Sequence, residues 1–383
     1  MKSLLQIFLI TGAAAGFFFS GSVSAVARTL TLADLRKEVT LADPQISPNG
    51  LRIALLVGRD DFDHNSTPIQ IVLIDVAGGA MHTLPVPQTD IAFVRWSPGG
   101  DQLAYLAGAD GEPKQLYIIS ASGARVRKLN DAPEGVEEFA WRPDGKSIAY
   151  ATEDSPPARK GSATFNTSFE VGDNDYRAAA PPQPTHLWLV GTDGSAPTPL
   201  TTGTSIVPSG SLSDSQPYLD ALIVPQHFPD QFFCWVGDGK SIAYTKVPNA
   251  YDTHWDEAVM ELRDVATGQE RALTRHYALE AGCDTSPDGR RIAYWYPHDG
   301  KPLASSSIFV TGSSGRTNGL EVSRSLDRSP WVARWMPDSA SLLILAHDRT
   351  REGMWLVSLD GASHRLDIGD LNASAASVSH TGA

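Results

Sequence analysis

Six times along the chain, an alternating apolar stretch breaks at a Pro-Asp-Gly-like turn and resumes as a second alternating stretch. The copies read ISPNGLRIALL from Ile46, WSPGGDQLAYL from Trp96, WRPDGKSIAYA from Trp141, WVGDGKSIAYT from Trp235, TSPDGRRIAYW from Thr285 and WMPDSASLLIL from Trp335. In Ser-Pro-Asp-Gly, Pro presets φ for a type I turn, Asp or Asn suits the turn interior, and Gly relieves the φ constraint where the next strand begins. The period-two pattern after each turn predicts a strand with one face packed inward. A third apolar run follows each copy: IQIVLIDV, KQLYIISA, THLWLVGT, VMELRDVA, SSIFVTGS and GMWLVSLD. Then comes a Gly-containing turn, such as Thr192-Asp-Gly194 or Asp360-Gly361, and a short fourth run such as RKLN or RALT.

Four short strands in a unit of about 45 residues describe one blade of a β-propeller. The fold class expected is therefore all-β: a propeller of four-stranded blades, six complete, plus the start of a seventh. The turn position falls at Pro48, Pro98, Pro143, Gly237, Pro287 and Pro337, so the third step is about twice as long as the others. The third copy keeps its own outer strands, THLWLVGTDGSAPTPLT, so the long step reads as one blade with two excursions. One is an insertion at about 154–184; the other is a connection over 202–230. Loops this long in a compact repeat are functional or disordered. The last residues, SVSHTGA from Ser377, align with the opening of a seventh copy, Ser379-His-Thr-Gly382 standing for Ser-Pro-Asp-Gly. One inner strand without its neighbours leaves unpaired strand edges, which invite a partner.

Composition changes this picture little. Hydrophobic residues make up 42% and charged residues 20%, an ordinary globular balance. The formal charge of -13 excludes a phosphate-backbone binder, so no nucleic acid partner is expected. The N-terminus says more. Lys2 precedes an apolar run from Leu4 to Phe19, followed by the small-x-small sites Val23-Ser-Ala25 and Ala25-Val-Ala27. That is the layout of a secretory signal peptide, and the run falls short of the roughly 20 residues of a membrane span. The expected organisation is a signal peptide at 1–25, a lead segment at 26–45 and the propeller at 46–383. The product would be exported, periplasmic or secreted, with no membrane span after signal cleavage. Cys234 and Cys283 precede repeat turns in neighbouring copies at offsets of opposite parity. Within a strand that means opposite faces, which predicts two buried free thiols, although export permits a disulfide.

The lead TLADLRKEV, with Thr31 and Asp34 at capping-box spacing, the blade-one opening ADPQISPNG, the Trp-x-Pro-Asp-Gly copies and the insertion SFEVGDNDYRAAAPPQPTHLWLV together resemble one family. It is the N-terminal propeller of the prolyl oligopeptidase family of serine peptidases, in its exported dipeptidyl- and acylaminoacyl-peptidase-like branch. The resemblance covers about residues 29–383. The repeats alone are less specific, since the periplasmic Tol-system propeller uses similar ones; a stand-alone interaction module of that kind is the alternative reading. The family resemblance implies a propeller that limits access to, or binds peptide for, an α/β-hydrolase domain carrying the Ser, Asp and His. No Gly-x-Ser-x-Gly elbow occurs in this chain, and the near miss Gly312-Ser-Ser-Gly315 has the wrong spacing. No catalytic residue carries over, and this chain alone is not expected to be an enzyme. The partners implied are a peptide substrate or a separate hydrolase chain.

Four residues of the insertion, Glu170, Asp173, Asp175 and Tyr176, concentrate negative charge in a long loop and are the candidate substrate-binding set. An opposite charge in a partly dry cleft orients an α-amino group. Glu137-Glu138 resembles the acid pair with which some dipeptidyl peptidases hold a substrate amine. There the pair lies on a short helix, whereas GVEEFAW leads into a strand, which favours a structural place. Arg59–Asn65, RDDFDHN, lacks the spacing of a Ca²⁺ loop and reads as solvated. The ten His residues show no metal-ligand spacing, so neither metal nor cofactor is expected. Trp96, Trp141, Trp235 and Trp335 are expected to pack between blades.

Overall fold

A computed structural model describes residues 31–109, 111–165, 168, 169, 171, 180–208, 231–276, 278–302 and 304–381. Six four-stranded antiparallel sheets form a ring, each a meander of four consecutive strands. The blades span 39–83, 90–128, 138–199, 233–272, 281–321 and 330–365. The long third step is one blade: Ser147–Glu153 pairs with Thr185–Gly191 across the whole insertion. Before the first strand, Val39–Ile46, a single helical turn covers Leu32–Leu35. Its capping box forms as the spacing predicts: Thr31 N–H and Oγ1–H both donate to Asp34 Oδ2, at 3.0 and 2.7 Å.

The repeated turn closes alike in every blade. Its fourth residue returns an N–H to the carbonyl of its first: Gly50 to Ser47, Gly100 to Ser97, Gly145 to Arg142, Gly239 to Val236, Gly289 to Ser286 and Ser339 to Met336, at 2.8–3.0 Å. All six fourth residues take positive φ, which explains Gly in five of them; Ser339 bears the strain at φ 54°.

The core is not one mass but a series of apolar seams between successive blades. Leu73, Ile91 and Leu103 lie between blades one and two, Phe139 and Ile118 between two and three, and Phe233 and Leu187 between three and four. Met260 and Ile292 lie between four and five, and Val310 and Leu345 between five and six. Main-chain polar groups are stapled across the same seams. The indole N–H of Trp96 donates to Gln45 O at 2.9 Å, Trp141 to Arg95 O at 3.3 Å, Trp235 to Ala140 O at 3.1 Å and Trp335 to Asp284 O at 3.0 Å. The tryptophans therefore bind blade to blade, as expected.

The thiol expectation is overturned. Cys234 and Cys283 form a disulfide with a Cα–Cα distance of 5.8 Å. The parity argument holds within one sheet, but the two cysteines are on different sheets. In a ring of stacked blades, the far face of one blade meets the near face of the next. Opposite faces are therefore the ones that touch, and both cysteines lie in the seam between blades four and five.

The residues after blade six fill the remaining seam. Ala373 and Ala376 pack on the core shared by blades five and six. Ser377 Oγ accepts the Ile46 N–H at 2.9 Å, and His380 N–H donates to Pro48 O at 3.0 Å. Ser377 stands three residues before His380, as Asp284 stands three before Pro287, and Asp284 Oδ2 accepts the Trp335 N–H at 3.2 Å in the same way. The tail thus holds the place of a further inner strand. It covers blade one only in part: Val39 to Ala42 are exposed, and Ile53 and Leu55 are half-buried.

Candidate functional face

Meander topology sends the two kinds of connection to opposite ends of the ring. The Pro-Asp-Gly turns and the Gly turns between third and fourth strands crowd one end. The loops between second and third strands, and the connections between blades, emerge at the other. The lead helix, loop 60–68, the 3₁₀ segment Asp252–Glu257 and the 3₁₀ turn His298–Gly300 are at that second end, and the strands flanking 154–184 and the connection after Thr198–Pro199 open there as well, whereas the tail runs from that end to the turn of blade one. The candidate functional face follows from this asymmetry.

Acidic groups gather there. Glu153, at the base of the insertion, is half-buried and its carboxyl is raised by burial, then by the neighbouring Glu137, with Glu134 and Asp154 adding to the rise. The Gln183 N–H, which donates to it at 3.3 Å, opposes the shift. Asp154 lies 3.5 Å from His186 Nε2. Between blades one and two, a 530 Å³ cleft is lined by Asp60, Asp61, Phe62, Asn65, Thr67 and Asp90. Its acids are largely satisfied within the loop. Asp61 Oδ1 accepts the N–H of Asp63 and His64, Asp61 Oδ2 meets His64 Nδ1 at 2.7 Å, and Asp60 accepts from Thr67 at 2.7 Å. Among the described residues no group of His, Cys, Asp and Glu is arranged to hold a metal ion.

Glu170, Asp173, Asp175 and Tyr176 lie outside the described residues. Glu138 is placed, in the inner strand Glu138–Trp141, and is almost fully buried. Both its carboxylate oxygens accept the Phe232 N–H, at 3.1 and 3.3 Å. Asp43, also five residues before its turn proline, does the same at the seam between blades one and two: Oδ2 accepts the Val94 N–H at 2.7 Å while Arg95 Nη1 grips both oxygens. In these two blades the acid at this position staples one blade to the next; the other four copies carry Phe93, Phe232, Gly282 and Val332 there. Glu280 was missed altogether, having no motif around it. It is fully buried, and its surroundings are taken up below.

The first stretch of the insertion, 155–165, is exposed throughout, Phe165 at 89%. Limited trypsin is expected to cut first at Arg159 or Lys160. The two fragments should stay together on size exclusion, because blade three pairs across the nick. Early cutting within any blade instead would contradict this arrangement.

No protein-family model matches the chain. Among curated proteins, it is 33% identical over 121 residues to the uncharacterized peptidase YuxL of Bacillus subtilis, covering 32% of this chain and 18% of that one. It is 23% identical over 338 residues to dipeptidyl-peptidase 5 of Porphyromonas gingivalis, covering 83% and 46%. The chain thus spans less than half the length of these relatives. Among solved structures, it resembles acylaminoacyl peptidase of Pyrococcus horikoshii with a TM-score of 0.63 at 15% identity, over 88% of this chain and 47% of that one. It also resembles the propeller domain of the Trilobed protease of Pyrococcus furiosus, described as an open velcro topology, with a TM-score of 0.58 at 12% identity, over 87% and 85%. The homologues of this six-bladed propeller are peptidases, and its fold is that of the propeller domains of prolyl and acylaminoacyl peptidases.

Proposed function

We propose that this chain is the non-catalytic propeller of an exported peptidase, and that its elaborated end gates or binds peptide for a hydrolase domain. The observation that carries this reading is that the strands flanking every long loop, and the lead helix, all open at one end of the ring. A domain seated there would meet all the adaptable chain and the acidic groups, while the turn end offers only short hairpins. Carboxylates at such a mouth orient the cationic amino end of a peptide. The signal-like residues 1–25 and the Cys234–Cys283 bridge support export to an oxidising compartment.

Two measurements test the reading. The purified chain, assayed alone on dipeptidyl and acyl-aminoacyl nitroanilides, is expected to release no nitroaniline above the buffer rate. Turnover by the chain alone would sink the non-catalytic assignment. Sequencing the gene past codon 383 is expected to find a hydrolase segment with Gly-x-Ser-x-Gly, and a continuation of any other kind would overturn the peptidase role.

A further inference from the structure

The seam between blades four and five holds a buried titratable group that the peptidase reading does not use. Glu280 ends the connector 273–280, which joins the outermost strand of blade four to the innermost strand of blade five, Ala281–Thr285. Its carboxyl is wholly buried. The Thr274 hydroxyl donates to Oε1, and the Met260 N–H donates to Oε2 at 2.8 Å. Among the described residues no lysine or arginine pairs with it. The titratable groups around it are Glu261 on blade four, Tyr294 and Tyr296 on blade five, and His276 on the connector itself. Of these only His276 can carry positive charge, and burial against Tyr296, 4.0 Å away between ring centres, pushes it toward the neutral form.

The same residues anchor main chain. Glu280 N–H donates to Ala258 O at 2.9 Å, and Leu279 N–H donates to Asp256 O at 3.1 Å. The connector therefore ties down the end of the 3₁₀ segment Asp252–Glu257, a loop of the elaborated face. Leu279 is held at φ 63°, a conformation that persists only while its surroundings enforce it.

We propose that Glu280 is a proton latch: protonated, it holds connector residues 278–280 and the Asp252–Glu257 loop closed against the seam, and ionised, it releases both. A neutral carboxyl places no charge in the seam and still accepts the Met260 N–H. An ionised one sits in an apolar seam beside a second carboxylate with no cation, which costs several times more. Burial, with Glu261 adding to it, pushes the carboxyl from 4.5 up to about 7, against the hydrogen bonds from Thr274 and Met260. The folded-state value therefore lies above the unfolded one. The stabilisation is complete below about 4.5 and is lost as pH rises through about 7. The latch is shut in mild acid and opens above neutrality.

Hydrogen exchange of the intact chain at about pH 6 and about pH 8.5, corrected for intrinsic rates, tests this. Protection over 256–260 and 278–283 is expected to fall about tenfold or more between the two, with a midpoint near 7, while blade two is unchanged. Glu280→Gln reproduces the donor and acceptor of the protonated acid and should keep full protection at both values. Thr274→Val removes a donor that favours the carboxylate and should move the midpoint upward. Protection that does not change with pH, or an equal fall in Glu280→Gln, overturns the latch. Should the glutamine variant not fold, an unmoved midpoint in Thr274→Val does the same.

Discussion

Reducing the Cys234–Cys283 bridge is expected to lower the unfolding free energy by about 4 kcal/mol. The cysteines are 49 residues apart, and the chain-entropy model assigns roughly that much to closing a loop of such length in the unfolded state. The bridge joins two inner strands that already pack on each other, Phe233–Trp235 and Ala281–Thr285, so the folded ring needs little adjustment without it. Urea unfolding with and without reductant measures the effect directly, and the Cys234→Ala, Cys283→Ala double variant should reproduce the reduced curve. Coincident oxidised and reduced midpoints would show that the bridge does not constrain the chain. The expected loss is a large part of the stability of an ordinary domain. It also bears on where the protein can work, because the reducing cytosol would remove that support.

Replacing Gly237 by proline, which restores the residue found at this position in the other five turns, is expected to destabilise the protein by about 3 kcal/mol. A Cβ at 237 would lie 2.3 Å from the Cα of Gly289 in the next blade's turn. The obstacle is backbone rather than a side chain that can swing away. Gly289 is itself fixed at φ 71° and closes its own turn onto Ser286. One of the two turns must move, and the seam holding the disulfide moves with it. Gly78→Ala is the control, since nothing lies within 4 Å of its Cβ position. It should change the melting temperature little. A Gly237→Pro melting temperature equal to wild type would mean that the two turns are not in contact.

The blade count was legible because the propeller repeats its chemistry in the one-dimensional chain. The turn's Pro, Asp and Gly answer local φ and hydrogen-bond requirements, and the alternation after it answers a two-faced strand. The reading of the 94–residue step between Pro143 and Gly237 as a single blade rested on the same local evidence, THLWLVG as a third strand. Even the lead helix was visible in Thr31 and Asp34. The candidate site was much less legible. The insertion acids Glu170, Asp173, Asp175 and Tyr176 fall outside the described residues, whereas Glu138, read as a weak candidate, turned out to staple blade three to the start of blade four.

By itself, the sequence determined a ring of four-stranded blades and the position of each turn. Each follows from bonds made within a few residues or between neighbouring strands. Only the tertiary structure decided the disulfide, the reason blade four alone has Gly where its neighbours have Pro, and the burial of Glu280. All three depend on how one blade stacks on the next. A seam joins residues about 50 positions apart, on faces defined separately for each sheet, and no period within a single strand encodes which far face meets which near one.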